Sequence, residues 1–281
     1  MIVRTILFLS TVMGATSHMR HDGGMVSLVL FSVLDWCGTF VILAALAFGF
    51  LWLCSALMDF NKPQETDSPF YRALIYHYSK ALIDLLQIRI HTEGLEKLPK
   101  EGRFLLVCNH QHESDPAVIM YYMRHSGLVF ISKHESKEMF LMGKLMYKLR
   151  AQFINRENDR QGLRVILNCI DLIKRDEASI AVFPEGGIKI EGKLSPFRPG
   201  VFKMATKTNV PIVVCTIQNT QFVLRHGLKL KPTNVKFHLV DVIQPEQYAG
   251  MKTTQISDMV HEMMAKDLGP AFALEEEAAP M

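Results

Sequence analysis

The sequence predicts an α/β protein with a mixed, largely parallel sheet flanked by helices, preceded by an N-terminal transmembrane helix or hairpin. From residue 88 onward, short β-branched or apolar runs alternate with helical stretches, which is typical of a layered α/β fold. Residues 36–58 contain no charged side chain, and about 20 such residues suffice for a helix to span a bilayer. The hydrophobic fraction of 49% agrees with a membrane segment.

The N-terminal part divides into three pieces by composition. Residues 1–24 resemble a weak signal peptide without a convincing cleavage site, and we assign them no function. Residues 25–60 are the predicted membrane anchor. Because the apolar run extends upstream past Asp35, one crossing and a helical hairpin both stay open, with one crossing favoured. Residues 61–87 read as a proline-containing linker and an amphipathic helix.

The main domain is expected at residues 88–270, followed by an acidic tail at 271–281. Its predicted strands cover 88–92, 104–108, 128–132, 152–155, 179–183, 211–217 and 235–242. Its predicted helices cover 116–124, 135–149, 160–174, 200–206 and 254–266, after a first helix at 70–86. In sheets of this type, functional groups gather at the strand ends.

Charge and cysteine content limit the possible functions. The net charge of +3, without a basic stripe interleaved with aromatics, gives no indication of nucleic-acid binding. The five cysteines show no CxxC pairing, which argues against a zinc site or disulfides and favours a reducing compartment. The lysines between 133 and 150 alternate with apolar residues. That pattern fits either a basic amphipathic surface for anionic lipid headgroups or an ordinary surface helix.

Polar side chains follow the strand predicted at 104–108. His110 ends the strand, and Asp115 before Pro116 has the residue types of a helix start, with aspartate as the N-cap. A tight loop between them would bring the Asp115 carboxylate to one ring nitrogen of His110. Such a pair acts as an oriented general base in acyl transfer. On the motif alone, a simple capping role for Asp115 is equally open.

A metal site is the second interpretation of the same cluster, with His110, His112 and Asp115 as ligands of a metallohydrolase. Such a site usually takes further ligands from later strand ends. The later histidines at 226, 238 and 261 stand in no comparable cluster, so this interpretation ranks far behind.

Two further strand ends carry residues suited to a phosphate. After the strand at 179–183, Glu185 precedes Gly186 and Gly187, which let the backbone approach a ligand, and Lys189 adds a positive charge. After the strand at 152–155 stands Arg156, whose fork of donors matches a phosphate. Each motif alone is also compatible with a tight turn or a surface ion pair.

Together the motifs resemble the four sequence blocks of the glycerolipid acyltransferases, and most closely those of the 1-acylglycerol-3-phosphate (lysophosphatidate) acyltransferases. The blocks are Asn109-His110 with Asp115, then 153–156, 183–186 and 210–213, in the family's order and approximate spacing. The stretch 133–143 is also similar to the segment between the first two blocks. The resemblance covers about residues 88–242.

This resemblance implies a glycerol-3-phosphate acyltransferase-like fold in which His110 is the general base and Asp115 orients it. It links Pro211 to the acyl-donor side. It implies that Arg156, Glu185 and Gly186 bind the phosphorylated acceptor. Apart from the resemblance, we predict that Lys133, Gly187 and Lys189 belong to the same binding site.

The sequence departs from the family at three places. The third block continues with Gly187-Ile188-Lys189 instead of Thr-Arg-Ser, so the usual arginine is missing. His112 stands where a serine is common, and Val214 replaces a proline. These changes leave the base intact and bear on the identity of the acceptor.

The predicted function is acyl transfer from acyl-CoA or acyl-carrier protein to the free hydroxyl of 1-acyl-glycerol-3-phosphate, giving phosphatidate. The enzyme is expected in the membrane with its catalytic domain on the cytoplasmic face, and the reaction requires no metal or organic cofactor. Alternatives are acylation of another lysolipid or of glycerol-3-phosphate. More distant alternatives are a metal-dependent lipid phosphate hydrolase and a non-catalytic lipid-binding protein.

Overall fold

The computed structural model describes residues 2–17, 24–62, 67–155, 158–188 and 193–272. At the N-terminus, helix α1 (Ile2–Ala15) packs against helix α2 (Met25–Ala56). The two helices are antiparallel, since the Trp36 indole donates to the Thr11 hydroxyl at 3.3 Å while Gly14 lies against Ser32. Helix α2 continues through Asp35 without a break, and the helical hairpin forms between α1 and α2.

Helix α2 is the one described helix that is both long and apolar enough to cross a membrane. It begins at Met25, well before the predicted start at residue 36. Its 32 residues make a helix of about 48 Å, longer than the roughly 30 Å hydrocarbon core of a bilayer. The helix therefore has length to spare for contacts with the rest of the protein.

The main domain alternates strands and helices as the sequence predicts. The strands are β1 (Ile88–Glu93), β2 (Leu105–Cys108), β3 (Leu128–Lys133), β4 (Gln152–Ile154), β5 (Ser179–Val182), β6 (Ile212–Gln218) and β7 (Thr233–Ile243). The helices are α3 (Pro69–Leu85), α4 (Asp115–Tyr122), α5 (Met142–Lys148), α6 (Asp159–Lys174), α7 (Lys203–Thr208), α8 (Val223–Gly227), α9 (Pro245–Tyr248) and α10 (Thr253–Leu268).

The described strands form one seven-stranded sheet in the order β1-β7-β6-β2-β5-β3-β4. Strands β6, β2, β5, β3 and β4 are parallel, and β7 runs antiparallel to β6 with β1 parallel to β7. The predicted mixed, largely parallel sheet is confirmed. The carboxyl ends of the five parallel strands meet at one edge, which we call the carboxyl edge.

Strand β2 is buried on both faces, and its side chains alternate between two hydrophobic cores. Leu105 and Val107 point into the core formed with α6 and α10, whereas Leu106 and Cys108 point into the core formed with α4. All four side chains are fully buried. Burying an aliphatic side chain contributes about 1.5–3 kcal/mol, so a shift in the register of β2 would be costly. The register of β2 in turn fixes the point after Cys108 at which the chain leaves the sheet.

The prediction of one continuous helix at 135–149 is wrong. The stretch expected as a single helix at 135–149 is a short 3₁₀ turn, His134–Glu138, followed by α5. Between them Leu141 adopts a positive φ of 67°, which no α-helix accommodates. The Leu141 carbonyl accepts a hydrogen bond from the Ser55 hydroxyl of α2 at 3.3 Å. The tertiary contact with α2 therefore coincides with the break.

Candidate active site

The predicted site residues follow four neighbouring strands of the sheet. His110 follows β2, the turn at Glu185 follows β5, and Lys133 ends β3. These three strands lie side by side, with β4 next to β3. Arg156, which stands directly after β4 in the sequence, and Lys189 lie outside the described residues. The topology thus brings motifs that are distant in sequence to one stretch of the carboxyl edge.

His110 and Asp115 form a close pair. The His110 Nδ1 atom lies 2.8 Å from Asp115 Oδ2, and the Asp115 side chain is completely buried while that of His110 is 16% exposed. Two backbone amides, those of Gln111 and His112, donate to the same Oδ2 at 2.7 and 2.9 Å. The carboxylate therefore holds the loop and the imidazole together, and Nε2 is the ring nitrogen that remains for a substrate.

The predicted N-cap role of Asp115 is wrong. Helix α4 begins at Asp115 itself, with Ser114 at the N-cap position and Pro116 after it. The Asp115 side chain turns back toward the loop and accepts from residues that precede the helix. Among the described residues its second oxygen, Oδ1, has no hydrogen-bond partner. The carboxylate thus serves the His110 loop and not the end of α4.

Glu185 holds two loops in place. Its Oε1 accepts from the backbone amide of His110 at 2.8 Å, and its Oε2 accepts from the backbone amide of Ser195 at 2.8 Å. The side chain is 1% exposed. Burial raises the pKa of this carboxyl, and the two backbone hydrogen bonds partly offset the rise. Glu185 thereby fixes the backbone on which His110 stands.

Two residues beside His110 were missed as contributors to the site. The buried Asn109 side chain donates to the Ile217 carbonyl at 2.9 Å and accepts from the Ile217 amide at 2.7 Å, which ties the end of β2 to β6. The Phe183 ring stacks on the His110 imidazole with 4.1 Å between centroids. Both residues belong to the quoted sequence blocks, so membership in a block was the available signal.

An unpredicted cation lies over the turn that follows Glu185. Gly186 has a φ of 76°, and a Cβ atom there would lie 2.7 Å from the Arg198 Nε atom. A side chain at Gly186 would therefore displace the arginine, and only glycine suits both the φ and the contact. Arg198 is exposed, and its backbone amide donates to the Pro184 carbonyl at 2.8 Å. Arg198 stands outside the four blocks, so no sequence motif pointed to it.

The end of β4 is held by α6. The Gln161 side chain accepts from the Asn155 amide at 2.7 Å and donates to the Phe153 carbonyl at 2.7 Å. Asn158 caps α6 by accepting from the Gln161 amide. The residues on both sides of 156–157 are thus fixed by the same glutamine. Lys133, at the end of β3, is exposed.

Three other histidines considered for the metal interpretation have separate partners. His112 Nδ1 lies 2.9 Å from the Ser114 hydroxyl, and His226 Nδ1 lies 3.1 Å from the Thr233 hydroxyl. His261 packs edge-on against Phe197. Within the described ranges, no group of three histidine, cysteine or acidic side chains is placed to hold a metal ion.

Polar loops at the carboxyl edge of the sheet thus surround one histidine and its buried aspartate. Residues 89–218 match the family model described as Acyltransferase, which places this domain of the chain in the acyltransferase family. This domain is therefore an acyltransferase by family, and the relatives that it matches are named 1-acyl-sn-glycerol-3-phosphate acyltransferases.

Curated relatives support this assignment. The chain is 27% identical over 176 residues to a 1-acyl-sn-glycerol-3-phosphate acyltransferase of Borreliella burgdorferi, covering 61% of this chain and 70% of the relative. It is 23% identical over 261 residues to one of Limnanthes alba, covering 92% and 90%. The crystal structure of PlsC, the LPA acyltransferase of Thermotoga maritima, has the same fold, with a TM-score of 0.59 and 22% identity over 78% of this chain and 86% of that one.

Proposed function

We propose that this protein transfers an acyl group from acyl-CoA or acyl-carrier protein to the free hydroxyl of 1-acyl-glycerol-3-phosphate, with His110 as the general base. The observation that carries the proposal is the His110–Asp115 pair at the carboxyl edge of an acyltransferase domain. The relatives named above carry lysophosphatidate acylation in their names, and this acceptor class is taken from them.

In the proposed reaction, His110 Nε2 removes the proton of the acceptor hydroxyl as its oxygen attacks the thioester carbonyl. The proton on Nδ1 stays hydrogen-bonded to Asp115, and the carboxylate stabilises the imidazolium that forms. The tetrahedral intermediate then expels the thiolate, and the thiolate receives from Nε2 the proton that came from the acceptor hydroxyl. Each proton transfer uses the same ring nitrogen, so His110 can act first as base and then as acid.

The acceptor hydroxyl is the proposed nucleophile, because neighbouring protein groups are poorly suited to that role. Burial raises the pKa of the Cys108 thiol well above its ordinary value, with the nearby Cys215 thiol as a second cause. The Cys108 side chain is completely buried, so a thiolate there would have neither access nor solvation. The buried Ser114 hydroxyl is engaged with His112.

The acceptor phosphate is proposed to bind beside His110, at the turn Glu185-Gly186-Gly187 and at the ends of β3 and β4. Lys133, Arg156 and Lys189 supply the positive charge in this proposal, and arginine binds a phosphate with two parallel hydrogen bonds. Arg198, which lies against Gly186, is added to this set and supplies the guanidinium that the third block lacks. Glu185 acts through the two backbone amides that it holds.

The membrane anchor is proposed to be residues 25–60, with the catalytic domain, residues 88–270, on the cytoplasmic face. This side is supported by the chemistry of the acyl donors, which are water-soluble thioesters of the cytoplasm. Protease treatment of sealed vesicles tests the orientation. A catalytic domain that stays intact when only the cytoplasmic side is exposed to protease would overturn it.

The proposed activity is tested by incubating membranes that contain the protein with labelled acyl-CoA and a panel of lysolipids. Phosphatidate formed from lysophosphatidate, with release of free thiol, is the expected result. Preference for lysophosphatidylcholine would redirect the acceptor assignment. Thioester loss that stops with a chelator would favour the metal-dependent alternative, and binding without thioester cleavage would favour a lipid-binding protein.

A further inference from the structure

The chain after β6 exposes leucines at the edge of the sheet that carries His110. Leu224, Leu228 and Leu230 are 54%, 81% and 80% exposed. Strand β6 is parallel to β2, with Cys215 opposite Cys108, so the segment that follows it leaves from the carboxyl edge. We call residues 224–231 the leucine–lysine loop. Its position makes it a neighbour of the active-site face.

The charged residues of this segment all have one sign. Arg225, Lys229 and Lys231 are exposed, and the sequence from residue 219 to residue 236 contains no aspartate or glutamate. Exposed leucines alternating with lysines match the boundary of an anionic bilayer, where apolar side chains enter the acyl region and lysines meet the headgroups. The positive charge and the exposed leucines of the loop are thus both complementary to the surface of an anionic bilayer.

The backbone of the loop is well ordered by hydrogen bonds. The Lys231 amide donates to the His226 carbonyl, and the Leu230 amide donates to the Gly227 carbonyl, both at 3.0 Å, as in the Schellman motif that ends many helices. Leu230 occupies the left-handed position of this motif, with a φ of 53°. Glycine is the usual residue there. An exposed leucine with a left-handed backbone conformation is unfavourable for the stability of the fold. Its presence at this position is therefore better explained by a role in binding.

A close contact fixes the loop against helix α3. A Cβ atom at Gly227 would lie 2.9 Å from Leu86 Cδ2, so a larger residue would require the Leu86 side chain to shift. Leu85, at the end of α3, is itself 64% exposed. The apolar surface therefore continues from the leucine–lysine loop onto α3.

The direction of the anchor helix relates this surface to the membrane. Helix α3 starts near the beginning of β3, where Arg72 donates to the Leu128 carbonyl, and it ends beside the first residue of β7. Helix α2 lies antiparallel to α3, because Tyr78 bonds the Ala47 carbonyl and Tyr71 bonds the Cys54 carbonyl. Followed backward from Ala47, α2 therefore leads toward and beyond the carboxyl edge.

The lengths of the helices show how far the anchor projects. From Tyr78 to its end, α3 rises about 10 Å, whereas α2 rises about 33 Å between Ala47 and Met25. The N-terminal part of α2 thus extends about 20 Å past the end of α3, on the side of His110 and of the leucine–lysine loop. A bilayer that encloses this part of α2 faces that same side.

We propose that the leucine–lysine loop docks on the surface of an anionic phospholipid bilayer and holds the active-site edge against it. The anchor and the loop are then two separate contacts with the membrane, one before the domain and one after β6. With both in place, a lysolipid moves from the bilayer to His110 without crossing water. The proposal rests on the membrane anchor but does not depend on the identity of the acceptor.

The first test measures how deeply the leucine–lysine loop enters the bilayer, and it does not require catalytic activity. A nitroxide is attached to Leu228→Cys in the full chain with Cys37→Ser, since the other four cysteines are buried. The matched control is Glu101→Cys, on the exposed loop before the amino end of β2. The chain is placed in phosphatidylcholine vesicles with and without phosphatidylglycerol. We expect the Leu228 label to become accessible to oxygen and protected from a water-soluble nickel chelate in anionic vesicles, while the Glu101 label stays exposed to the chelate.

The second test measures the consequence for catalysis. Lys229→Gln with Lys231→Gln should lower transfer to vesicle-bound lysophosphatidate by up to roughly fivefold per lysine in anionic vesicles, and less at high salt. The same double variant should keep the wild-type rate in detergent micelles. Lys203→Gln with Lys207→Gln, exposed lysines on the helix that leads to the amino end of β6, is the matched control and should change neither rate.

Each failure has a distinct meaning. If both labels are equally exposed to the chelate in anionic vesicles, the docking proposal is wrong, even where transfer activity is intact. If the Leu228 label is protected only when an acyl-carrier protein is added, the surface binds a protein and not the bilayer, and the proposal is likewise overturned. If depth is as expected but no lysolipid is acylated, the docking stands and the proposed function fails.

Discussion

Two histidine–aspartate pairs in this protein have nearly the same geometry but lie in different surroundings. His110 Nδ1 is 2.8 Å from Asp115, and His238 Nδ1 is 2.7 Å from Asp267. The two histidine side chains are 16% and 14% exposed. Neither the distance nor the burial of the histidine therefore distinguishes a candidate catalytic pair from a structural one.

The difference lies in where each pair sits on the sheet. His238 is inside β7, opposite Thr216 of β6, and the Thr216 hydroxyl donates to the second oxygen of Asp267 at 2.5 Å. Both oxygens of Asp267 thus tie α10 to two strands. His110 follows a strand, at an edge where loops meet, and its aspartate leaves one oxygen without a partner among the described residues. Position relative to the strand ends is the better guide to function.

The largest expected effect is on the rate after His110→Ala. Losing a general base typically costs about 100- to 10,000-fold, and the fold should persist because the Glu185 contact uses the His110 backbone amide. Acyl transfer from labelled acyl-CoA to lysophosphatidate is measured alongside the melting temperature. A variant that keeps more than about a tenth of the wild-type rate, judged against that range, would sink the assignment of the base.

Acceptor binding is the next largest effect. Arg156→Ala should raise the KM for lysophosphatidate roughly 10- to 150-fold, the equivalent of one lost charged hydrogen bond, and change the KM for the acyl donor much less. Arg198→Ala should act in the same direction by roughly 10-fold.

Arg103→Ala is the control for both arginine variants. Arg103 pairs with Asp176 and stands just before the amino end of β2, away from the carboxyl edge. Unchanged acceptor kinetics in Arg156→Ala and Arg198→Ala would show that the phosphate binds elsewhere.

Asp115→Asn should have a moderate effect, since an amide oxygen in the place of Oδ2 would keep the three hydrogen bonds to the loop and His110. The variant loses only the negative charge that stabilises the imidazolium. The difference between a charged and a neutral hydrogen bond predicts a fall in kcat of roughly 5- to 30-fold, with KM unchanged. Asp267→Asn, the same change in the other pair, should leave kcat alone. Equal kcat losses in both variants would mean a general loss of structure.

Glu185 gives a prediction for pH. Because burial raises its pKa, the folded protein holds this proton longer than the unfolded chain, so stability from this group falls as the pH rises above about 4.5 toward the folded pKa. Glu185→Gln cannot ionise, and the melting temperature of wild type minus variant should fall over that range.

Glu177→Gln is the control of opposite sign. Arg150 lowers the pKa of Glu177, and the stability from that group is lost as the pH falls. Differences in melting temperature that run in the same direction for Glu177→Gln and Glu185→Gln would contradict the burial argument.

Much of the fold was predictable because periodicity and strand composition act locally. The seven strands were found within about two residues at each end. The break at Leu141 was not, since it coincides with a contact from α2, which is distant in the sequence. The role of Asp115 at the loop and the position of Arg198 over Gly186 also depend on tertiary contacts. The propensity of aspartate for helix caps is a local property. In the folded protein the backbone amides of Gln111 and His112 bind the Asp115 carboxylate, so it does not cap α4.

The smallest effect on rate is expected for His238→Ala, and it tests the comparison most directly. The substitution removes the Nδ1 contact to Asp267 and leaves a largely buried carboxylate with the Thr216 hydroxyl as its remaining partner among the described residues. Leaving a buried polar group partly unsatisfied costs about 1–3 kcal/mol, so the free energy of unfolding should fall by about that amount. The rate of transfer per folded molecule should match the wild type, because His238 lies within β7 and α10 covers its aspartate. Activity is therefore normalised to the folded fraction at a temperature below both melting transitions. If normalised kcat fell as far as it does in His110→Ala, position at a strand end would not separate the two pairs.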